Sequence, residues 1–227
     1  MPKAIKKRAE KKAHKEEDLR ETVTDIKERL KQRQRTLVYA LAGFLVAAIS
    51  TVVVTVHLKT SKAKASELEF EGYKLYYSDE QTLGMTSFER RQKALEMFKK
   101  SYAAKKTPYV LFYIANCYYE LGNYDEAVKT LNELNSEFSD ARINSLAYYK
   151  IAMAYLKKGE TDNALNALKS LYSIKGATLG DMALLEWGKI LESQGKKEEA
   201  QEKYKELINK FPKSALLEEA KKRAGSN

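Results

Sequence analysis

Cysteine, histidine, proline and glycine are all scarce in these 227 residues, and each scarcity removes a class of structure. A single cysteine excludes an intramolecular disulfide framework and every multi-cysteine zinc site. The two histidines, His14 and His57, both precede residue 60, so the rest of the chain lacks the usual residue for metal ligation or acid–base work near neutral pH. Three prolines and ten glycines are too few to punctuate a many-stranded sandwich or barrel, which leaves long helices. No Gly-rich phosphate loop is present, and no serine sits in a nucleophile elbow. Glu198-Glu199 and Glu218-Glu219 read as solvated helix faces, Cys117 as a small packing residue, and Trp187 as core. No catalytic residue, metal or cofactor is expected, and the chain does not read as an enzyme.

Charge is present but unevenly placed. The net charge is +10. Residues 1–35 carry 13 Lys/Arg against 7 Asp/Glu and no aromatic residue, whereas residues 59–227 carry 28 against 24. Between them, Thr36 to Leu58 is a run of 23 residues without Asp, Glu, Lys or Arg. As a helix it would rise roughly 34 Å, enough to cross a hydrocarbon core of about 30 Å. The β-branched segment Thr51–Val56 has strand propensity, but a lone strand in lipid leaves its backbone groups unsatisfied, so a spanning helix is expected. Arg33 and Arg35 bound it on one side, Lys59 and Lys62 on the other. The basic start is too long for a cleaved signal peptide despite the small residues of Ala63-Lys64-Ala65, which favours an uncleaved signal-anchor. Five basic residues lie in the 15 positions before Thr36 and three in the 15 after Leu58, a bias that puts the N-terminus in the cytoplasm and the large C-terminal part on the periplasmic side of a bacterial inner membrane.

The tail reads as helical from about Lys15. Leu19, Val23, Ile26 and Leu30 recur at the spacing of a coiled-coil seam. Three roles stay open for it: a solvated extension of the membrane helix, pairing with another helix, or contact of its Lys/Arg with anionic lipid. Nucleic-acid binding is not expected, because charge without a recognition face carries no base readout.

Beyond the membrane segment the sequence repeats. Ala115, Tyr118, Gly122 and Ala127 return 37 residues later as Ala152, Tyr155, Gly159 and Ala164. Gly188, Leu191, Gly195 and Ala200 follow at a further 36, and Leu131, Leu168 and Tyr204 stand four places after each late alanine. The small residues let two helices approach closely, and the glycines suit a left-handed helix end. Asn123 with Glu126 is expected to cap the helix that follows. An irregular first unit would pair Glu67–Tyr77 with Phe88–Tyr102, placing Ala94 and Phe98 at the second-helix positions across a long connection, Ser78–Ser87. Ser214–Ala224 would be a capping helix after Pro212.

This pattern resembles the tetratricopeptide repeat over roughly residues 66–224. It implies an all-α solenoid of about four helix pairs with a C-terminal capping helix, preceded by one transmembrane helix. The expected layout is a basic tail (1–35), a membrane helix (36–58), a linker (59–66), a repeat domain (67–224) and a short end (225–227). Such arrays receive peptide segments along the first helices of their pairs, which would bring Tyr109, Phe112, Asn116, Tyr119, Tyr149, Met153, Leu156, Leu185 and Lys189 into a groove suited to extended, partly apolar polypeptide. Phe112 stands where a carboxylate-clamp lysine would be needed.

The tail–anchor–array layout, with Leu171, Ile174, Lys175, Gly176, Gly188, Leu191, Gly195 and Ala200 in the third unit, also resembles the YfgM-type ancillary subunits of the bacterial Sec translocon. That resemblance implies a non-enzymatic scaffold or chaperone-like adaptor meeting translocon components, exported polypeptides or periplasmic chaperones. The alternative is a structural assembly factor of an envelope or division complex that forms a homo-oligomer through Leu19, Val23, Ile26 and Leu30.

Overall fold

A computed structural model describes residues 3–79 and 84–225. It divides into two compact units, Met1–Lys59 and Thr60–Asn227. Nine α-helices occupy the described residues: α1 (Lys3–Tyr77), α2 (Ser87–Ala104), α3 (Pro108–Glu120), α4 (Tyr124–Glu137), α5 (Ala141–Lys157), α6 (Thr161–Ser173), α7 (Gly180–Ser193), α8 (Lys197–Lys210) and α9 (Leu217–Ala224). The helical tail therefore begins at Lys3, well before the expected Lys15, and residues 59–66 are helical too.

In the first unit, α1 carries the apolar run, with Val38, Phe44, Ile49, Val53 and Leu58 all exposed along it. The segment is long and apolar enough to cross a membrane. Its hydroxyls bond back onto the helix: Ser50 Oγ donates to Val46 O, Thr51 Oγ1 to Ala47 O and Thr55 Oγ1 to Val52 O, each at 2.8 Å. Polar side chains satisfied this way suit a lipid environment, and the β-branched residues sit in helix as the backbone argument requires.

In the second unit, each helix packs on its neighbours in order from α2 to α9, and α3 also touches α5. The last turns of α1 join α2 through Ser101 Oγ, which donates to Ala65 O at 2.9 Å, so Ala65 already belongs to the core. Four pairs result, α1/α2, α3/α4, α5/α6 and α7/α8, with α9 after them.

The turns within pairs share one geometry. At the first, Gly122 has φ +78°, its N–H donates to Tyr119 O at 3.0 Å, and Asn123 N–H donates to Tyr118 O at 2.9 Å. This is a Schellman ending, which needs a left-handed residue that glycine adopts without Cβ strain. Gly159 and Gly195 repeat it, with Glu160 N–H on Tyr155 O and Lys196 N–H on Leu191 O, both at 2.9 Å. The geometry overturns the expected cap at Asn123. Its ψ of 65° lies outside the extended region that aims a capping side chain at the helix, and it makes no side-chain cap bond. Glu160 and Lys196 share that conformation (ψ 68° and 63°) and also make none. Side-chain caps appear instead between pairs, at Thr107 on Val110 N–H (3.3 Å) and at Asp140 on Arg142 N–H (2.9 Å). Thr86 and Glu89 form a reciprocal capping box on α2. The final helix starts at Leu217, three residues later than expected, because Ser214 Oγ accepts from Leu216 N–H in the turn before it and donates to Asp181 Oδ2.

In the first and last pairs, a glycine on the first helix faces an aromatic ring on the second. A Cβ on Gly188 would lie 2.3 Å from Tyr204 Cε1, and one on Gly72 2.7 Å from Phe98 Cε1. Gly72 is thus the first unit's counterpart of Ala115, Ala152 and Gly188, hidden in the sequence by the long connection after Tyr77. Glycine stands opposite an aromatic ring, whereas the alanine units carry Leu131 and Leu168 in the matching place, all of them fully buried. Introducing Gly188→Ala should cost about 1–3 kcal/mol by overpacking. Adding Tyr204→Leu, which recreates the alanine–leucine pair, should recover part of the loss; urea unfolding of the two variants in detergent checks both signs.

Candidate functional site

The residues expected to bind polypeptide divide into an open set on α3 and α5 and a closed set on α7. On α3, Tyr109 is 49% exposed, and Phe112 is half-buried with its ring 6.2 Å from that of Tyr113. Asn116 is only 7% exposed, yet its Oδ1 accepts no hydrogen bond among the described residues. A buried amide oxygen left this way is destabilising unless a ligand or water satisfies it. One turn further on, Tyr119 stacks edge-on against Tyr124 at 5.4 Å. From α5, Lys150 sets its Nζ 4.5 Å over the Tyr119 ring. Burial pushes the Lys150 pKa down, partly opposed by the charge of Glu120, and no ion pair closes on the ammonium among the described residues. Tyr149, Met153 and Leu156 are half-buried along the same helix. Burial raises the Tyr149 pKa, with Glu186 adding to the rise and Lys189 opposing it, which locates its hydroxyl near α7.

The α7 residues depart from expectation. Leu185 is 3% exposed and belongs to the core shared with α8 and α9. Lys189 is engaged by Glu186 at 3.0 Å and by Glu219 of α9 at 3.2 Å. The capping helix therefore engages the ammonium of that lysine, and Leu185 is closed off in the core.

Sequence reading missed Lys150 and an aromatic cluster at the start of the array. Tyr73 and Tyr76 of α1 meet Tyr113 of α3 at 4.7 and 5.5 Å, and Tyr77 Oη lies 2.5 Å from Tyr113 Oη. Arg91 caps the Tyr76 ring at 4.2 Å and donates to the Tyr76 carbonyl. Recognising Gly72 as a small repeat position would have placed Tyr73 and Tyr76 on the same row as Asn116 and Tyr119. The remaining singled-out residues are structural. Burial raises the Cys117 thiol to about 12, so it stays protonated and unreactive. Trp187 is half-buried, packs on the core and lies under Lys203 Nζ at 4.5 Å. Among the described residues, no cluster of His, Cys, Asp and Glu could hold a metal ion.

The second helices present a different surface. Tyr172 of α6 donates to Glu206 Oε1 of α8 at 2.7 Å, and Lys210 reaches both groups. Burial opposes ionisation of Glu206, but hydrogen bonds from Lys210, Tyr172 and Lys203 outweigh it and hold the carboxyl at about 2. Tyr102 and Lys106 make the equivalent contacts to Glu137 of α4, at 3.1 Å each. Polar groups are closed on one another at these two clusters, although Asn135 of α4 and Arg90 Nε of α2 are buried without a hydrogen bond among the described residues.

Comparison with known proteins agrees with this architecture. A family model described as a tetratricopeptide repeat-like domain matches residues 27–222. The crystal structure of MamA protein is 20% identical, with 72% of this chain and 84% of that chain covered and a TM-score of 0.51. Kinesin light chain TPR-like repeats from Podosopora anserina are 17% identical, with 72% and 89% covered and a TM-score of 0.52. These likenesses concern the fold alone. Among curated proteins, no sequence matches.

The open and closed residues should separate in stability measurements. Replacing the fully buried Tyr204 with Ala should cost about 3–5 kcal/mol. Phe112→Ala and Tyr149→Ala should each cost only about 1–2 kcal/mol, in keeping with half-burial. Denaturant unfolding decides, and equal losses at all three would make Phe112 and Tyr149 core residues.

Proposed function

Since the chain belongs to the tetratricopeptide repeat-like domain family over most of its length, we propose that it is a non-enzymatic, membrane-anchored adaptor whose array binds extended polypeptide along α3 and α5. One observation carries this reading: the half-buried rings of Phe112, Tyr119 and Tyr149 lie on adjacent first helices, where the desolvated Lys150, with no ion pair among the described residues, sets its Nζ 4.5 Å over the Tyr119 ring. An extended chain supplies what these groups lack. Its carbonyl or carboxylate can accept from Lys150 Nζ, and its apolar side chains can lie against the aromatic rings. Lone aromatic residues on a surface need no explanation, but aromatic residues grouped with a desolvated lysine support recognition.

Residues 36–58 serve in this proposal as an uncleaved anchor, with the basic tail in the cytoplasm and the array in the periplasm of a bacterial inner membrane. The charge bias across the apolar run supports that orientation, and the likeness of the third unit to the YfgM-type subunits supports a place at the Sec translocon. The bound polypeptides would then be exported chains, translocon components or periplasmic chaperones.

Affinity purification from gently solubilised membranes tests both levels. The wild-type chain should recover translocon components together with exported polypeptides. The Phe112→Ala/Tyr149→Ala variant should keep the former and lose the latter. If no export component is recovered, the translocon assignment falls; if the double variant recovers exported polypeptides equally well, the α3–α5 face is not the binding surface.

A further inference from the structure

The tail section of α1 sorts its charges by face. With Val23 and Leu30 at a positions of a heptad and Leu19 and Ile26 at d, every basic residue between Glu17 and Leu30 falls beside the seam: Arg20 and Lys27 at e, Arg29 at g. All five acidic residues in the same stretch, Glu17, Asp18, Glu21, Asp25 and Glu28, fall on the opposite b, c and f positions. The four seam residues are each at least half exposed, and no described residue of the unit covers them. The Asp25–Arg29 ion pair, at 3.0 Å with both groups well exposed, ties one acid to one flank and leaves the seam open.

We propose that this face docks a helix of another protein that carries an apolar seam flanked by acidic residues. A second copy of the chain is the wrong occupant on electrostatic grounds. Parallel copies, the arrangement that anchoring in one membrane imposes, would set Arg33 at a d position against its own equivalent and would pair Lys27 only with Thr22 and Arg29 only with Gln34. Antiparallel copies would bring Arg20 against Lys27 twice, again like against like. A lipid surface fits poorly, because α1 runs without a break through the tail into the apolar run and places Leu19 roughly 25 Å along the axis from Thr36. An acidic helix removes every mismatch: its carboxylates meet Arg20, Lys27, Arg29 and Arg33, and its apolar residues cover a seam too short to form a stable coiled coil alone.

The test uses the full chain in nanodiscs of zwitterionic lipid and two labelled synthetic helices, both with Ile at a and Leu at d. One carries Glu at every e and g position and the other Lys. Fluorescence anisotropy should show the Glu helix binding about tenfold more tightly than the Lys helix, a preference that fades as salt rises. Arg20→Glu/Lys27→Glu/Arg29→Glu should reverse the preference, and Val23→Asp/Ile26→Asp should abolish binding while the thermal midpoint of the repeat array stays unchanged. Binding of neither helix, or equal binding of both, overturns the proposal. So does a dimeric mass for the chain in detergent that the Val23→Asp/Ile26→Asp variant removes, since the seam would then belong to a second copy. Association of the tail with phosphatidylserine vesicles through these same basic residues, in place of helix binding, would assign the face to lipid.

Discussion

The close approach of a small residue on each first helix to a large residue on its partner is the contact on which the array depends. Where the small residue is glycine, the opposing group is a ring, as with Gly72 and Phe98 or Gly188 and Tyr204. Where it is alanine, the matching position is leucine. Volume is thus conserved pair by pair, as close-packed interiors require. With the interhelical distance set in this way, the turn between helices has little freedom left. The Schellman ending at Gly122, Gly159 and Gly195 then satisfies the last carbonyls and starts the next helix without a side-chain cap.

From that unit the two surfaces of the array follow. Second helices are joined across pairs by tyrosine–glutamate hydrogen bonds with a lysine attached, at Tyr102–Glu137 and Tyr172–Glu206. These contacts link residues 35 and 34 positions apart, so each reaches only the neighbouring pair, as in a quasi-one-dimensional stack. First helices are joined by rings: Tyr73 and Tyr76 on Tyr113, and Tyr119 beneath Lys150. The ring-lined surface also holds Lys150, which makes no ion pair among the described residues. At the far end α9 closes the stack, and Glu219 engages Lys189 where another repeat would otherwise continue.

Most of the fold was legible in the sequence because the repeat constrains particular residue types. Glycine at the left-handed turn position and Ala or Gly at the close contact have few substitutes, so three units share a visible pattern. The first unit was read only in part. The ten residues Ser78–Ser87 shift Gly72 out of register with Ala94, and with it the aromatic row of Tyr73 and Tyr76. Residue type alone does not identify the helix caps. Asn123 looks like a cap, yet backbone geometry denies it that role, and Glu160 and Lys196 at equivalent positions show that the site selects no particular side chain. On α3 and α5 the groove positions expected from the repeat coincide with exposed or half-buried aromatic residues. On α7 they do not, because Leu185 and Lys189 answer to α8 and α9, and the reach of a capping helix is a tertiary fact. Lys150 carries no signal in the sequence, because its burial and its place over the Tyr119 ring arise only where α5 packs on α3.

In the proposed function, the first-helix surface of the array is the one that meets polypeptide. Hydrogen–deuterium exchange on the full chain in nanodiscs, with and without a saturating unfolded secretory polypeptide, tests this directly, because backbone protection reports local stability segment by segment. Slower exchange in α3 and α5, with α4, α6 and α8 unchanged, is the predicted result. Protection confined to the second helices, or none anywhere in the array, would contradict it.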